Sequence, residues 1–147
     1  MRRYFLYLVL ITVFCECFAQ LNNWSVSSPT GVITTLSGSF AEMRRNHFHG
    51  GLDFRTDGEE NKPIYSIDEG YVSHVSISRT GYGKLVFINH PNGYTSVYAH
   101  LNGFVPKLDS IIKSIQYKNK SYEVEIPFDS TQFRVKKGEQ FAISGNT

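Results

Sequence analysis

The chain has 147 residues, a length that suits one domain once any targeting segment is removed. Hydrophobic residues make up 41% of it and aromatic residues 14%, which is enough to build a core. Without Arg2, Arg3 and Glu16, which lie in a predicted signal peptide, the 15 basic and 13 acidic residues become 13 and 12. This nearly neutral balance argues against a nucleic-acid partner.

Residues 1–19 are predicted to be a signal peptide. They combine a basic start, an apolar stretch too short for a membrane span and a small residue, Ala19, at the expected cleavage position. Both cysteines, Cys15 and Cys17, lie in this segment, so the mature chain would contain no disulfide. We therefore expect an exported protein that is periplasmic, in the cell envelope or extracellular. It would contact a membrane only through this segment, if the segment is not cleaved.

A leader at residues 20–30 is followed by short strands separated by glycine, proline and asparagine. The run Pro91-Asn92-Gly93 lies between two β-rich stretches and predicts a hairpin, because Asn and Gly tolerate positive φ. The predicted strands are residues 32–36, 52–54, 63–66, 70–77, 84–88, 94–101, 122–126 and 140–144.

One helix is predicted, at residues 105–117. Apolar residues recur there at intervals of three and four, which gives one apolar face; they are Leu108, Ile111, Ile112 and Ile115. Residues Asn119 and Lys120 would end this helix. It belongs to a stretch of about 103–133 that is longer than a minimal link between strands, and we interpret this stretch as a helical insertion.

His49 and Asp53 form the first candidate site, in the sequence His-Gly-Gly-Leu-Asp. On an extended segment they lie an even number of residues apart and share a face, with only Gly51 between them on that face. Zinc accepts nitrogen and carboxylate-oxygen ligands, and a catalytic site keeps one position open for water. The alternative is a histidine packed beside a turn that the aspartate caps.

Tyr98 and His100 form the second candidate site, on the outgoing strand of the hairpin. The period of two predicts that they share a face, where His100 could hydrogen-bond a metal-bound water or a developing oxyanion. The alternative is an aromatic–histidine pair that stabilises the hairpin.

The two patterns together resemble the lysostaphin-type zinc metalloendopeptidases, metallopeptidase family 23, over nearly all of residues 31–147. Ordered matches carry the resemblance. They are Gly38–Glu42, Asn46–Phe54, Ile64–Val72, Gly81–Lys84, Asn89–Tyr94, Tyr98–Leu101, Val135–Glu139 and Ser144–Thr147.

The resemblance implies a mainly antiparallel β domain with a central groove, a single zinc ion, and cleavage of peptide bonds in the cross-bridges or stem peptides of peptidoglycan. By the same resemblance His49 and Asp53 are zinc ligands and His100 is a catalytic histidine. We add Tyr98 as a candidate substrate-binding residue. His47 occupies no ligand position of the family pattern, and surface or core roles are expected for His74 and His90.

The sequence departs from the family at its end. The third ligand and a second active-site histidine of the family come from a His-x-His motif shortly after the Ser-Gly-Asn-Thr loop, and this chain ends at Thr147. We therefore interpret residues 31–147 as an incomplete catalytic domain that lacks its C-terminal strands, binds metal weakly and has little activity.

Two other functions remain open. The first is a degenerate, non-catalytic relative that binds cell-wall enzymes or glycan through the same groove. The second is a carbohydrate-binding or structural β module, whose surface would use aromatic residues such as Trp24, Tyr82 and Tyr94.

Overall fold

The computed structural model describes residues 25–32 and 35–145, so the predicted signal peptide at 1–19 lies outside the described residues. The described chain forms nine strands and one helix. The strands are β1 (Leu36–Gly38), β2 (Asp53–Phe54), β3 (Pro63–Tyr65), β4 (Gly70–Ile77), β5 (Lys84–Asn89), β6 (Thr95–Phe104), β7 (Val124–Pro127), β8 (Arg134–Val135) and β9 (Gln140–Ser144), and the helix, α1 (Pro106–Asn119), lies between β6 and β7.

Two antiparallel sheets contain all of these strands. The main sheet has the order β3-β9-β6-β5-β4-β7, and β8 pairs with the first residues of β4. The second sheet is the pair β1–β2. The predicted fold class, a mainly antiparallel β domain with one inserted helix, is confirmed.

Strands β4 and β5 supply much of the core. On β5, Val86 and Ile88 alternate with more exposed neighbours, as the period of two predicts. On β4, Val72 and Val75 are both fully buried although they are three residues apart. A bulge between Val72 and His74 adds one residue to this strand and resets the alternation.

The predicted hairpin joins β5 to β6. The His90 N–H donates to the Tyr94 carbonyl at 2.9 Å, and the Gly93 N–H donates to the His90 carbonyl at 3.0 Å. Gly93 takes a φ of 85°, which suits glycine, while Asn92 accepts the Tyr94 N–H through its side chain at 3.0 Å. The turn thus uses both residues that predicted it, but only the glycine is left-handed.

Helix α1 packs its predicted apolar face against the sheet. Leu108 and Ile112 are 0% and 1% exposed, and Ile111 and Ile115 pack beside them. The helix begins with Pro106 at its first position and ends at Asn119. The next residue, Lys120, is left-handed, and its N–H donates to carbonyls of the last turn. The rest of the predicted insertion is not helical, because β7 pairs with the edge of β4 and extends the main sheet.

Residues 33–34 of the strand predicted at 32–36 lie outside the described residues. The strand described there is Leu36–Gly38, which extends two residues beyond the predicted end and places Gly38 opposite Asp53. The described part of the leader runs beside β3, where the Tyr65 N–H donates to the Pro29 carbonyl at 2.8 Å. No helix within the described residues combines the length and the apolar character needed to cross a bilayer.

Candidate metal site

A small hairpin between β1 and β2 positions His49. Its two sides are joined by the Met43–Phe48 bridge, and the His49 N–H donates to the Glu42 carbonyl at 2.8 Å. The chain then continues through Gly50 and Gly51 into β2, which begins at Asp53. The hairpin therefore turns the His49 ring toward the start of β2.

The predicted pair is formed: His49 Nε2 lies 3.1 Å from Asp53 Oδ1. The other ring nitrogen, Nδ1, donates to the Ser39 carbonyl at 3.0 Å, because a carbonyl oxygen can only accept. In the neutral ring this hydrogen bond leaves the Nε2 lone pair free and directed at the aspartate. Two acceptors facing each other need a cation between them, and a proton or a metal ion can fill this role.

The spacing of these two atoms fits ligands of one metal ion. Zinc–ligand bonds of about 2.0–2.1 Å in tetrahedral geometry place neighbouring donor atoms about 3.3 Å apart. The backbone carbonyl of Ser39 on Nδ1 is also the kind of partner that orients a metal-binding histidine. The side chains of His49 and Asp53 are 18% and 37% exposed, so an ion can reach them from solvent.

Arg44 completes this cluster, and the sequence reasoning missed it. One of its terminal nitrogens, Nη2, lies 2.5 Å from Asp53 Oδ2 and 3.5 Å from a Glu42 carboxylate oxygen. The same nitrogen is 3.4 Å from His49 Nδ1, but this contact is not a hydrogen bond when Nδ1 donates to Ser39. The only sequence signal was a basic residue nine positions before Asp53, which has no meaning until the hairpin is known.

His100 lies on β6 at a second bulge. Lys84 pairs with Leu101 while Val86 pairs with Tyr98, so β6 carries one extra residue there. His100 has a φ of 55°, an uncommon value that His adopts more often than most residues. Its ring centroid lies 6.0 Å from that of Tyr82. A bulge re-aims side chains, so the strict alternation expected for Tyr98 and His100 does not hold.

Tyr98 is 8% exposed and packs edge-on against Phe141, with ring centroids 4.7 Å apart. Its hydroxyl accepts the Ile67 N–H at 2.9 Å and lies 3.2 Å from Ser96 Oγ. His90 is buried beside it, 2.8 Å from Ser96 Oγ. These contacts make Tyr98 part of the core, and its substrate-binding role stays a prediction.

The remaining histidines lie apart from the pair. His47 is exposed and contacts its neighbour Asn46 at 2.7 Å. His74 lies on the main sheet and contacts Glu125 at 2.5 Å. No group of three or more potential metal ligands occurs in the part of the chain that the structure describes, and none of its described contacts joins His100 to His49 or Asp53.

An open pocket of about 650 Å³ lies elsewhere, beside the β5–β6 turn. Its lining includes His90, Arg134 and Glu139 but neither His49 nor Asp53 nor His100. The cluster of His49, Asp53 and Arg44 is therefore a surface site rather than part of this pocket.

Known proteins share the sequence around this cluster. The profile described as Peptidase family M23 matches residues 47–117, which include His49, Asp53 and His100. The chain is related to peptidase family M23. An "Uncharacterized metalloprotease" of Haemophilus influenzae is 30% identical over 99 residues. That match covers 67% of this chain but only 16% of the relative. No solved structure matches the chain significantly.

The M23 relationship supports a metallopeptidase type of function and a metal cofactor. It also agrees with the chemistry of the site, because an imidazole nitrogen and a carboxylate oxygen converge where the family profile begins. The histidine–aspartate pair is thus the candidate metal site of this M23-related chain.

Proposed function

We propose that this chain contributes to a zinc-dependent endopeptidase that cleaves peptide bonds in the cross-bridges or stem peptides of peptidoglycan. We propose further that the protein is exported, since its substrate lies outside the cytoplasm. The observation that carries the proposal is the convergence of His49 Nε2 and Asp53 Oδ1 at 3.1 Å. The M23 relationship supplies the reaction class.

In the proposed enzyme, His49 Nε2 and Asp53 Oδ1 hold the zinc ion, and the Ser39 carbonyl keeps the His49 ring in the required tautomer. When bound, zinc supplies Lewis-acid polarisation of the scissile carbonyl and lowers the pKa of a bound water. Catalytic zinc sites use three protein ligands, so a third ligand is needed besides these two.

His100 is the proposed proton carrier. Its backbone is fixed on both sides, because its N–H donates to the Tyr82 carbonyl at 3.0 Å and its carbonyl accepts the Gly145 N–H at 2.9 Å. With the backbone fixed, only the rotation of the ring itself has to be restricted when His100 hydrogen-bonds a reacting group. In this role His100 takes a proton from the attacking water or gives one to the leaving amine.

Zinc content and peptidoglycan hydrolysis, measured on the same samples, test the proposal. In a parent form that also carries the third ligand, we expect zinc after dialysis and hydrolysis of peptidoglycan, with loss of both in His49→Ala and retention of both in His47→Ala. The control is matched, because His47 lies two residues away and its ring contacts the side chain of its neighbour Asn46 rather than the His49–Asp53 pair. His100→Ala should keep the zinc and lose about 10²–10⁴-fold in rate.

Full hydrolysis after His49→Ala would refute the assignment of the metal site. Zinc retained by the parent protein together with binding to peptidoglycan but no release of new amino groups would instead favour the non-catalytic relative. Zinc in neither the parent protein nor His47→Ala would overturn the metal site itself.

A further inference from the structure

The two oxygens of Asp53 have different partners. Oδ1 lies 3.1 Å from His49 Nε2, whereas Oδ2 lies 2.5 Å from Arg44 Nη2. From this division we propose that Arg44 is a positioning residue of the metal site, which holds Asp53 by one oxygen so that the other faces the ion. This inference rests on the proposed function, because it assigns a role toward the same metal.

A carboxylate that is free to rotate can bind an ion through either oxygen or both. A charge-assisted hydrogen bond to one oxygen removes this freedom and fixes the direction of the other. Outer partners of this kind orient the ligands of a metal, and their loss commonly weakens metal binding or activity about 10–100-fold. Arg44 supplies such a partner from the hairpin that also carries His49.

The charge of Arg44 acts in the opposite direction, because a cation near the site repels a metal ion. Glu42 offsets this effect: one of its carboxylate oxygens lies 3.5 Å from Arg44 Nη2 and also accepts the Ser39 N–H at 3.1 Å. The Arg44–Glu42 pair therefore brings no net charge to the site. We therefore expect the positioning effect to dominate.

Gly38 leaves the space that the ion pair occupies. It is the strand partner of Asp53, and a Cβ atom on Gly38 would lie 2.4 Å from both Arg44 Nη2 and Asp53 Oδ2. Nε of Arg44 is buried without a hydrogen-bond partner among the described residues, which is a cost of placing the guanidinium here.

The affinity for Zn²⁺, measured by competition with a chromophoric chelator at fixed pH, tests the inference without relying on catalysis. We expect Arg44→Met to weaken binding about 10–100-fold. Arg44→Lys, which keeps one charged donor, should lose less. Arg45→Met is the matched control, since it removes the same charge from the next, exposed position and should bind as the parent does.

Gly38→Ala provides a second route, because it displaces the ion pair without removing either charge. It should weaken Zn²⁺ binding in the same direction as Arg44→Met, and the absorption spectrum of bound Co²⁺ should change in both variants as the binding mode of Asp53 changes. Thermal unfolding of the metal-free proteins checks that the variants are folded. The Arg44–Asp53 pair is more than one-third exposed, so only a small loss of stability is expected.

Unchanged or tighter Zn²⁺ binding in Arg44→Met would overturn the positioning role, and tighter binding would show that the repulsion by its charge dominates. If the parent protein and His49→Ala bind Zn²⁺ equally, the proposed metal site fails, and the role of Arg44 fails with it. If His49→Ala abolishes binding while Arg44→Met and Gly38→Ala do not weaken it, the metal site stands and only the role of Arg44 is refuted.

Discussion

Replacement of His100 by glycine should give a more stable protein than replacement by alanine, which is the reverse of the order at a regular strand position. His100 has a φ of 55° within β6. The left-handed conformation costs an L-residue with a side chain about 1–2 kcal/mol, whereas glycine adopts it freely. Glycine loses about 0.5–1 kcal/mol through its greater freedom in the unfolded chain. The balance favours His100→Gly over His100→Ala by about 0.5–1 kcal/mol.

Val97 is the matched position on the same strand. It pairs in register with Phe87, has no positive φ and is 53% exposed. Val97→Ala should therefore be more stable than Val97→Gly by about 0.5–1 kcal/mol. The alanine-to-glycine difference thus changes sign between the two positions, with a total change of about 1–2 kcal/mol.

Urea unfolding of the four variants, fitted with a common m-value, measures these differences. If the alanine variant is more stable than the glycine variant at residue 100 by as much as at residue 97, the left-handed backbone at His100 is refuted. It would also remove the reason for supposing that the bulge re-aims this side chain.

Two further predictions concern stability. Leu108→Ala should lower the free energy of unfolding by about 2–5 kcal/mol, because Leu108 is 0% exposed where α1 packs on the sheet, and urea unfolding against the parent checks this value. Hydrogen bonds from Ser76 and, to a smaller extent, His74 hold the pKa of the Glu125 carboxyl below its ordinary value. A carboxyl group whose pKa is lower in the folded state stabilises the protein at pH values above its unfolded-state pKa. This stabilisation is lost as the pH falls through the folded-state pKa. At pH 7 the free energy of unfolding of the parent should therefore exceed that of Glu125→Gln, by less than about 1 kcal/mol because Glu125 is largely exposed. A difference of the same size at pH 3 would contradict this dependence of stability on the Glu125 pKa.

Local patterns predicted most of the fold. The bounds of β4 and β9 agree with the prediction, and α1 has the predicted apolar face, because periodicity reports burial directly. The bulges on β4 and on β6 beside His100 could not be predicted in this way, since an extra residue shifts the faces of a strand without any mark in its composition. The pairing of β7 with β4 also depends on long-range contacts that no local pattern contains.

The candidate site was predictable only in part. His49 and Asp53 lie 3.1 Å apart, but the chain between them bends at Gly51 and does not form the extended segment that the even spacing assumed. The roles of Arg44 and of the Ser39 carbonyl required the three-dimensional hairpin, because each reaches the pair across a turn. The zinc ion, the peptidoglycan substrate and the catalytic role of His100 stay predictions.

The contacts around the His49–Asp53 pair join residues that are close together in the sequence, and this bears on the order of folding. Arg44 and Asp53 are 9 residues apart and Ser39 and His49 are 10 apart, whereas the Lys62–Ser144 contact between the β3 and β9 ends of the sheet spans 82. Closing the longer loop costs about 2 kcal/mol more in chain entropy. The hairpin around His49 can therefore form before β9 arrives, so the proposed ligand pair would be available to an ion while the sheet is still being assembled.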